Sequence, residues 1–99
     1  MTEPKTAQNV LAVAINAMDF IPQMASDRLR SLYMEIEELM DDDVDRELLI
    51  NYISGNFATN THLCVTVLRG KRNEDIVQIA SEIRSQIKDE LTQRKRSSL

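Results

Sequence analysis

The sequence predicts an all-α fold, a four-helix up-down bundle completed by dimerisation. Two glycines and two prolines among 99 residues are too few to supply the turns that a β-rich chain needs roughly every 8 to 12 residues. Apolar residues recur at spacings of three and four along most of the chain, which is the period of an amphipathic helix. The hydrophobic share of 42% and the charged share of 28% are ordinary for a globular domain. We therefore expect one helical domain over residues 1–99, with frayed ends at 1–5 and 95–99.

The first helix is predicted at residues 6–20. Its apolar residues surround most of the helix and leave Asn9 and Asn16, one heptad apart, on the polar side. Pro22 disfavours a helical conformation of Ile21, so the helix should stop near residue 19 or 20. A small bundle cannot easily cover a helix with so much apolar surface, and this is the reason for expecting a homodimer.

The second helix is predicted at residues 22–41. It begins either at Pro22, which suits a first helical turn, or at Ser26, with Asp27 in the first turn. Its apolar positions form one amphipathic stripe, namely Ala25, Leu29, Leu32, Tyr33, Ile36, Leu39 and Met40.

The third helix is predicted at residues 44–69, and two interpretations are open. In one, a single helix tolerates Gly55 at a cost of about 1 kcal/mol relative to alanine. In the other, the helix ends at Gly55 and residues 61–68 form a separate element. The apolar residues expected to face inward are Leu48, Leu49, Tyr52, Ile53 and Phe57.

Residues 61–68 contain the only histidine and the only cysteine. As a strand, this segment would place His62 and Cys64 on one face, which a thiolate-imidazole pair requires. As a helix, it would point them about 200° apart, where they cannot meet. Its β-branched residues favour a strand, but no second segment is suited to pair with it, so we favour the helix. Cys64 is then a small buried hydrophobe, and Gly70 is a left-handed stop.

The fourth helix is predicted at residues 73–94. Asn73 is its expected cap, and Glu74 and Asp75 suit its first turn. Its apolar residues form a narrow seam, Ile76, Ala80, Ile83, Ile87 and Leu91.

Residues 35–47 hold eight carboxylates and one cation, Arg46. A calcium loop beginning at Asp41 fails, because Arg46 stands where glycine is required and Tyr52 where glutamate is required. A magnesium site on two or three of the aspartates is a minor alternative, since no phosphate-binding loop accompanies it. We therefore expect no metal and no cofactor.

Helix capping explains part of this acidic run, because Asp42 or Asp43 can cap the third helix while Asp45 lies in its first turn. Negative charge at the end of the second helix opposes the helix dipole by a few tenths to about 1 kcal/mol per residue, and a basic partner would relieve it. In an up-down bundle the basic turn after residue 68 lies at the opposite end, so the partner should be a neighbouring copy or another protein. The candidate partner-binding residues are Glu37, Glu38, Asp41, Asp42, Asp43, Asp45, Arg69, Lys71 and Arg72.

The sequence does not indicate a reaction. It has no nucleophile elbow, no HExxH, no CxxC and no glycine-rich phosphate loop, so we expect a non-enzyme. The net charge of −4 and the scarcity of aromatic residues disfavour nucleic-acid binding. No apolar run approaches the ~20 residues of a membrane span, and no secretory signal is visible, which suggests a cytoplasmic protein.

Function is therefore expected to reside in binding. The favoured hypothesis is a small regulator, adaptor or inhibitor that contacts itself and another protein through a helix face and the acidic turn. Two alternatives are a dimeric DNA-binding transcription regulator, which would use Arg69, Lys71 and Arg72, and an acidic nucleic-acid mimic that inhibits a nucleic-acid-binding protein.

Overall fold

The computed structural model describes residues 7–41 and 43–97, and over these ranges the chain is helical with no strand. The all-α prediction is confirmed. The predicted frayed end at residues 1–5 lies outside the described residues. The elements are α1 (Ala7–Asn16), a 3₁₀ helix (Ala17–Gln23), α2 (Ser26–Asp41), α3 (Arg46–Phe57), α4 (Thr61–Arg69) and α5 (Asn73–Ser97).

The first predicted helix is shorter than expected, because the α-helical turns end at Asn16 and the chain continues as a 3₁₀ helix through Pro22. Proline has no N–H and its ring clashes with the carbonyl four residues earlier, so an α-helix cannot pass Pro22 undisturbed. The second helix begins at Ser26, with Asp27 in its first turn. The interpretation that started it at Pro22 is wrong.

The helix predicted at residues 44–69 is two helices, separated at Ala58, which is extended. Asn60 caps α4 by accepting a hydrogen bond from the Leu63 N–H at 3.2 Å, and the Thr61 hydroxyl donates to the Ser54 carbonyl at 3.1 Å. These two bonds satisfy backbone groups at the break, which makes it stable. Gly55 lies inside α3, which ends at Phe57, so the end predicted at Gly55 is wrong, but the interpretation of residues 61–68 as a separate element is confirmed by α4.

Two further details of the predicted helix ends are wrong. Gly70 follows α4 with φ −83° and ψ −2°, which is right-handed, so it is not a left-handed stop. Asn73 is the first residue of α5, and its side chain accepts from Arg46 at 2.9 Å. The fourth predicted helix is otherwise confirmed, with Glu74 and Asp75 in its first turn. It continues past the predicted end at residue 94 to Ser97.

The helices share one apolar core. The longest interface joins α2 and α5, which run antiparallel, and α5 also contacts α3 and the 3₁₀ helix, while α1 rests on α3 and α4. The core is formed by side chains with at most 7% exposure, namely Ala14, Ala17, Ile21, Leu29, Leu32, Ile36, Leu49, Ile50, Ile53, Phe57, Cys64, Leu68, Ile76, Ile79, Ala80, Ile83 and Ile87. Breaking the third predicted helix lets both of its halves contribute to this core.

Two arginines join elements that are distant in sequence. Arg94 of α5 donates to the carbonyls of Ile21, Pro22 and Met24, where the 3₁₀ helix ends. Arg46 of α3 donates to the carbonyls of Leu68 and Arg69, where α4 ends. Each arginine therefore satisfies the last carbonyls of another helix, at the end where positive charge is favourable.

Candidate functional site

The most distinctive surface is a groove between α2 and α3, which run antiparallel. Two hydrogen bonds join the helices: Arg28 donates to the Asn56 side chain at 2.6 Å, and the Tyr52 hydroxyl donates to the Leu32 carbonyl at 3.0 Å. Beyond Tyr52 an open groove of about 440 Å³ lies between the helices. We call it the α2–α3 groove, and its lining residues are Glu35, Glu38, Leu39, Leu48, Asn51 and Tyr52.

The floor of the groove is apolar. Leu48 is 51% exposed, although the sequence predicted that it faces inward. Leu39 and Tyr52 are half-buried. Burial is the main factor that raises the pKa of the Tyr52 hydroxyl, so this hydroxyl keeps its proton and its bond to α2 at physiological pH. The groove is thus held at a defined width by an uncharged bridge.

Carboxylates stand at the rim of the groove. Within the described part of the chain, Glu35 and Glu38 form neither an ion pair nor a hydrogen bond. Glu35 does act on Tyr52 electrostatically. Arg28 acts on Tyr52 with the opposite sign, but two carboxylates against this one cation leave the groove with a net negative charge, which favours a cationic ligand.

The other acidic residues predicted to bind a partner are divided among different roles. Glu37 accepts a hydrogen bond from the Tyr33 hydroxyl at 3.0 Å and pairs with Arg84 at 3.4 Å. The hydrogen bond to Glu37 is the main reason that the pKa of Tyr33 is raised. Asp41 and Asp43 are both exposed. Asp43 does not line the α2–α3 groove but a separate groove formed with α5. Asp42 lies outside the described residues.

Asp45 is the cap of α3, because its carboxylate accepts from the N–H groups of Glu47 and Leu48 at 3.1 and 3.2 Å. The prediction that Asp42 or Asp43 is the cap, with Asp45 inside the first turn, is therefore wrong, whereas Glu47 lies in the first turn as expected. An aspartate that holds two backbone N–H groups is committed to the fold.

The basic turn lies beside the acidic segment of the same chain, which contradicts the expectation from an up-down bundle. Arg69 pairs with Glu47 at 3.0 Å, and Arg72 lies 3.6 Å from Asp75. Lys71, between them, is partly exposed. The reason is the break at residue 58, since it turns α4 back so that its end returns to the beginning of α3. The argument that only a second copy could bring these charges together therefore fails.

His62 and Cys64 are not neighbours. Residues 61–68 are helical, as favoured, and they place His62 at the surface while Cys64 is 1% exposed. Burial raises the pKa of the Cys64 thiol and outweighs the opposing effect of the Ser54 hydroxyl beside it. A buried thiol with a raised pKa is a poor nucleophile. The strand interpretation, which alone allowed a thiolate-imidazole pair, is wrong.

Among the described residues, no group of three or more histidine, cysteine, aspartate or glutamate side chains is arranged to hold a metal ion. In the same ranges, no helix has the length and apolar character needed to cross a membrane. No protein-family model, no curated protein and no solved structure matches this chain.

Sequence reasoning identified one residue of the groove, Glu38, as a partner contact. It counted Glu35 only as part of the acidic run, and it assigned Leu48 and Tyr52 to the inward stripe of α3, where Tyr52 does pack against the core but Leu48 does not. Leu48 is four residues before Tyr52, which gives them one helix face. Which face points into the core depends on how α3 is rotated against α2, and the spacing alone does not report that rotation.

Proposed function

We propose that this chain is a non-enzymatic protein-binding module, a small regulator, adaptor or inhibitor that binds another protein in the α2–α3 groove. The observation that carries the proposal is the combination of a half-exposed Leu48 with the unneutralised carboxylates of Glu35 and Glu38. An apolar floor with a charged rim is the usual anatomy of a protein interface.

The groove is also pre-organised. The bonds Arg28 to Asn56 and Tyr52 to Leu32 hold its walls before any partner arrives. A site that is ordered in the free protein loses less conformational freedom on binding, which favours affinity. Tyr52 adds a partly buried aromatic ring, the type of side chain that is enriched among energetically dominant interface residues.

The non-enzymatic part of the proposal is supported by the separation of His62 from Cys64 and by the burial of the thiol. Acid-base or nucleophilic catalysis needs such groups within hydrogen-bond distance of each other and of a substrate. The carboxylates with structural roles, Asp45 and Glu37, are held by backbone N–H groups and by Arg84 respectively.

Homodimerisation and completion of the helical bundle by a second copy belong to this proposal as well. Phe20 is 52% exposed and Val13 is 38% exposed, and both line a small depression beside α1. Sedimentation of Phe20→Asp against the unmodified protein tests this part. A dimer that is weakened by the substitution supports it, and a monomer at high micromolar concentration contradicts it.

Of the two alternatives, the acidic mimic is supported by Glu35, Glu38, Asp41 and Asp43, which are free of ion pairs among the described residues. The test is whether duplex DNA competes with this chain for binding to a captured partner. The DNA-binding alternative has less support, because Arg69 and Arg72 both lie beside carboxylates of the same chain.

Site-specific photo-cross-linking tests the main proposal. A photoreactive phenylalanine analogue is placed at position 48 in the groove, or at position 34 as a control, because Met34 is 60% exposed and does not line the groove. In cells that express the protein, we expect a discrete cross-linked partner from position 48 and none from position 34. Equal cross-linking from both positions, or none from position 48, would contradict the proposal.

A further inference from the structure

We propose that the occupant of the α2–α3 groove is a cationic amphipathic helix of the partner protein, and that it approaches the backbone of α3 closely at Gly55. This inference rests on the proposed function and specifies its partner by chemistry. Three observations carry it: the arrangement of the apolar floor, the charge of the rim, and a glycine that the fold itself does not require.

The floor has the dimensions of a helix-binding surface. Leu48, Asn51 and Tyr52 line the groove, and Gly55, three residues past Tyr52 and outside this lining, continues the same face of α3, so the four form one stripe. From Leu48 to Gly55 this stripe extends about 10 Å at 1.5 Å per residue, which is two turns of an opposing helix. An amphipathic helix placed here would insert apolar side chains at positions i, i+3 or i+4, and i+7.

The rim determines the charge of that helix. Glu35 and Glu38 lie on the α2 wall and have no ion pair among the described residues. Arg84 pairs with Glu37, whereas Arg28 donates to the neutral Asn56 side chain, acts on Tyr52 electrostatically and offsets only one of the two negative charges. Lysine or arginine residues flanking the apolar positions of the partner would meet these two carboxylates, whereas an acidic helix would be repelled.

Gly55 has no internal explanation. It is an exposed residue within α3, its φ is not positive, and a Cβ added there would meet nothing within 4 Å. Glycine in a helix interior is less favourable than alanine, so the position carries a cost that packing inside this chain does not offset. At the end of the groove stripe, the missing side chain lets another helix come close to the α3 backbone, as small residues do between packed helices.

The probe is a fluorescein-labelled peptide of about 15 residues with leucines at the i, i+4 and i+7 positions and lysines on both flanks. A peptide of the same composition with the leucines scrambled controls for charge alone. Fluorescence anisotropy at low salt should show the amphipathic peptide binding at least about tenfold more tightly than the scrambled one.

Matched variants identify the surface. Leu48→Asn should weaken binding by at least about tenfold, and the double substitution of Glu35→Gln with Glu38→Gln by roughly three- to tenfold, as expected for two exposed charge pairs. The control is Glu82→Gln with Asp89→Asn, which makes the same change in net charge at exposed positions of α5. This control should leave the affinity unchanged.

Gly55→Ala separates stability from binding. It should raise the melting temperature by about 4 °C, because it removes the helix penalty of glycine. At the same time it should lower the affinity for the amphipathic peptide. A rise in melting temperature without a loss of affinity would overturn the close approach at Gly55. Two results would overturn the proposal that the occupant is a cationic amphipathic helix. One is equal affinity of both peptides, and the other is an equal loss of affinity in the α5 control and in the variant with Glu35→Gln and Glu38→Gln.

The two proposals fail in different ways. If position 48 cross-links a discrete partner but the peptides are not distinguished, the groove binds a protein and its occupant is not a cationic amphipathic helix. If the protein alone sediments as a dimer that Leu48→Asn dissociates, a second copy occupies the groove and this inference is wrong. If neither cross-linking nor peptide binding involves Leu48, both proposals are refuted.

Discussion

Replacement of Arg46 by alanine should destabilise the fold by about 2 kcal/mol. Its guanidinium donates to the Leu68 carbonyl at 3.2 Å, the Arg69 carbonyl at 2.5 Å and the Asn73 side chain at 2.9 Å. A buried hydrogen bond from a charged donor contributes about 1.5–3 kcal/mol. Because this site is partly exposed, we assign each bond about 0.5–1 kcal/mol, which includes the favourable position of the cation at the end of α4.

Thermal and urea unfolding followed by circular dichroism measure this effect. For a domain of this size, about 2 kcal/mol corresponds to a fall in melting temperature of about 8–16 °C. Arg46→Lys should lose about 1 kcal/mol, since lysine keeps the charge near the helix end but cannot reach three acceptors with a planar fork. The denaturant dependence should be unchanged, because the surface exposed on unfolding is the same.

The control for this experiment is Arg72→Ala. The Arg72 side chain is 77% exposed and, within residues 7–41 and 43–97, its one ion pair is with Asp75 at 3.6 Å, so its removal should change stability by less than about 0.5 kcal/mol. If Arg46→Ala is as mild as Arg72→Ala, the hydrogen bonds of Arg46 to the end of α4 do not stabilise the fold, and this reasoning is refuted.

Three further predictions concern single residues. Asp45→Ala should cost about 1 kcal/mol by removing the cap of α3, whereas Asp43→Ala should be nearly neutral; equal losses in urea unfolding would contradict the assignment of the cap. Ser54→Ala should leave stability unchanged or raise it by up to about 1 kcal/mol, because the buried Ser54 hydroxyl lies beside the Cys64 thiol, a weak partner, and forms no full hydrogen bond among the described residues. A clear loss in the same assay would show that the hydroxyl is satisfied. Cys64 should resist a thiol reagent in the folded protein and react on unfolding. The pKa of the Cys64 thiol is raised in the folded state, so its contribution to stability is complete below the thiol pKa of the unfolded chain, about 8.5, and declines as the pH rises above that value. Cys64→Ala should flatten this decline in stability. An equally steep decline in the variant would contradict the assignment to Cys64.

The helical nature of the chain and some of its helix ends follow from local sequence. The acidic first turn of α5 at Glu74 and Asp75 is an example, whereas local sequence left both Pro22 and Ser26 open as the start of α2, and the structure begins it at Ser26. Periodicity, turn composition and the charge preference of helix ends act over a few residues, so they can be recognised without knowing the partner of each helix. The same local information favoured a helix at residues 61–68, and the structure agrees.

Features that depend on competition between nearby residues were less predictable. The break after Phe57 occurs because Asn60 caps α4 and Thr61 satisfies a carbonyl of α3, whereas Gly55, the residue with the lowest helix propensity in this stretch, remains helical. Propensity alone placed the break at the wrong residue, since a cap stabilises an end more specifically than a glycine weakens a helix.

What the sequence by itself determined is that this chain forms amphipathic helices, buries its single cysteine and carries a concentrated acidic segment. Only the tertiary structure decided which carboxylates are occupied by Arg84, Arg69 and the α3 backbone and which remain at the rim of a groove with Leu48. The physical reason is that these choices depend on contacts between residues far apart in the chain, such as Arg46 with Leu68 or Arg94 with Ile21, and on the rotation of one helix against another. Side-chain spacing along a helix defines its faces, but packing selects the face that is buried.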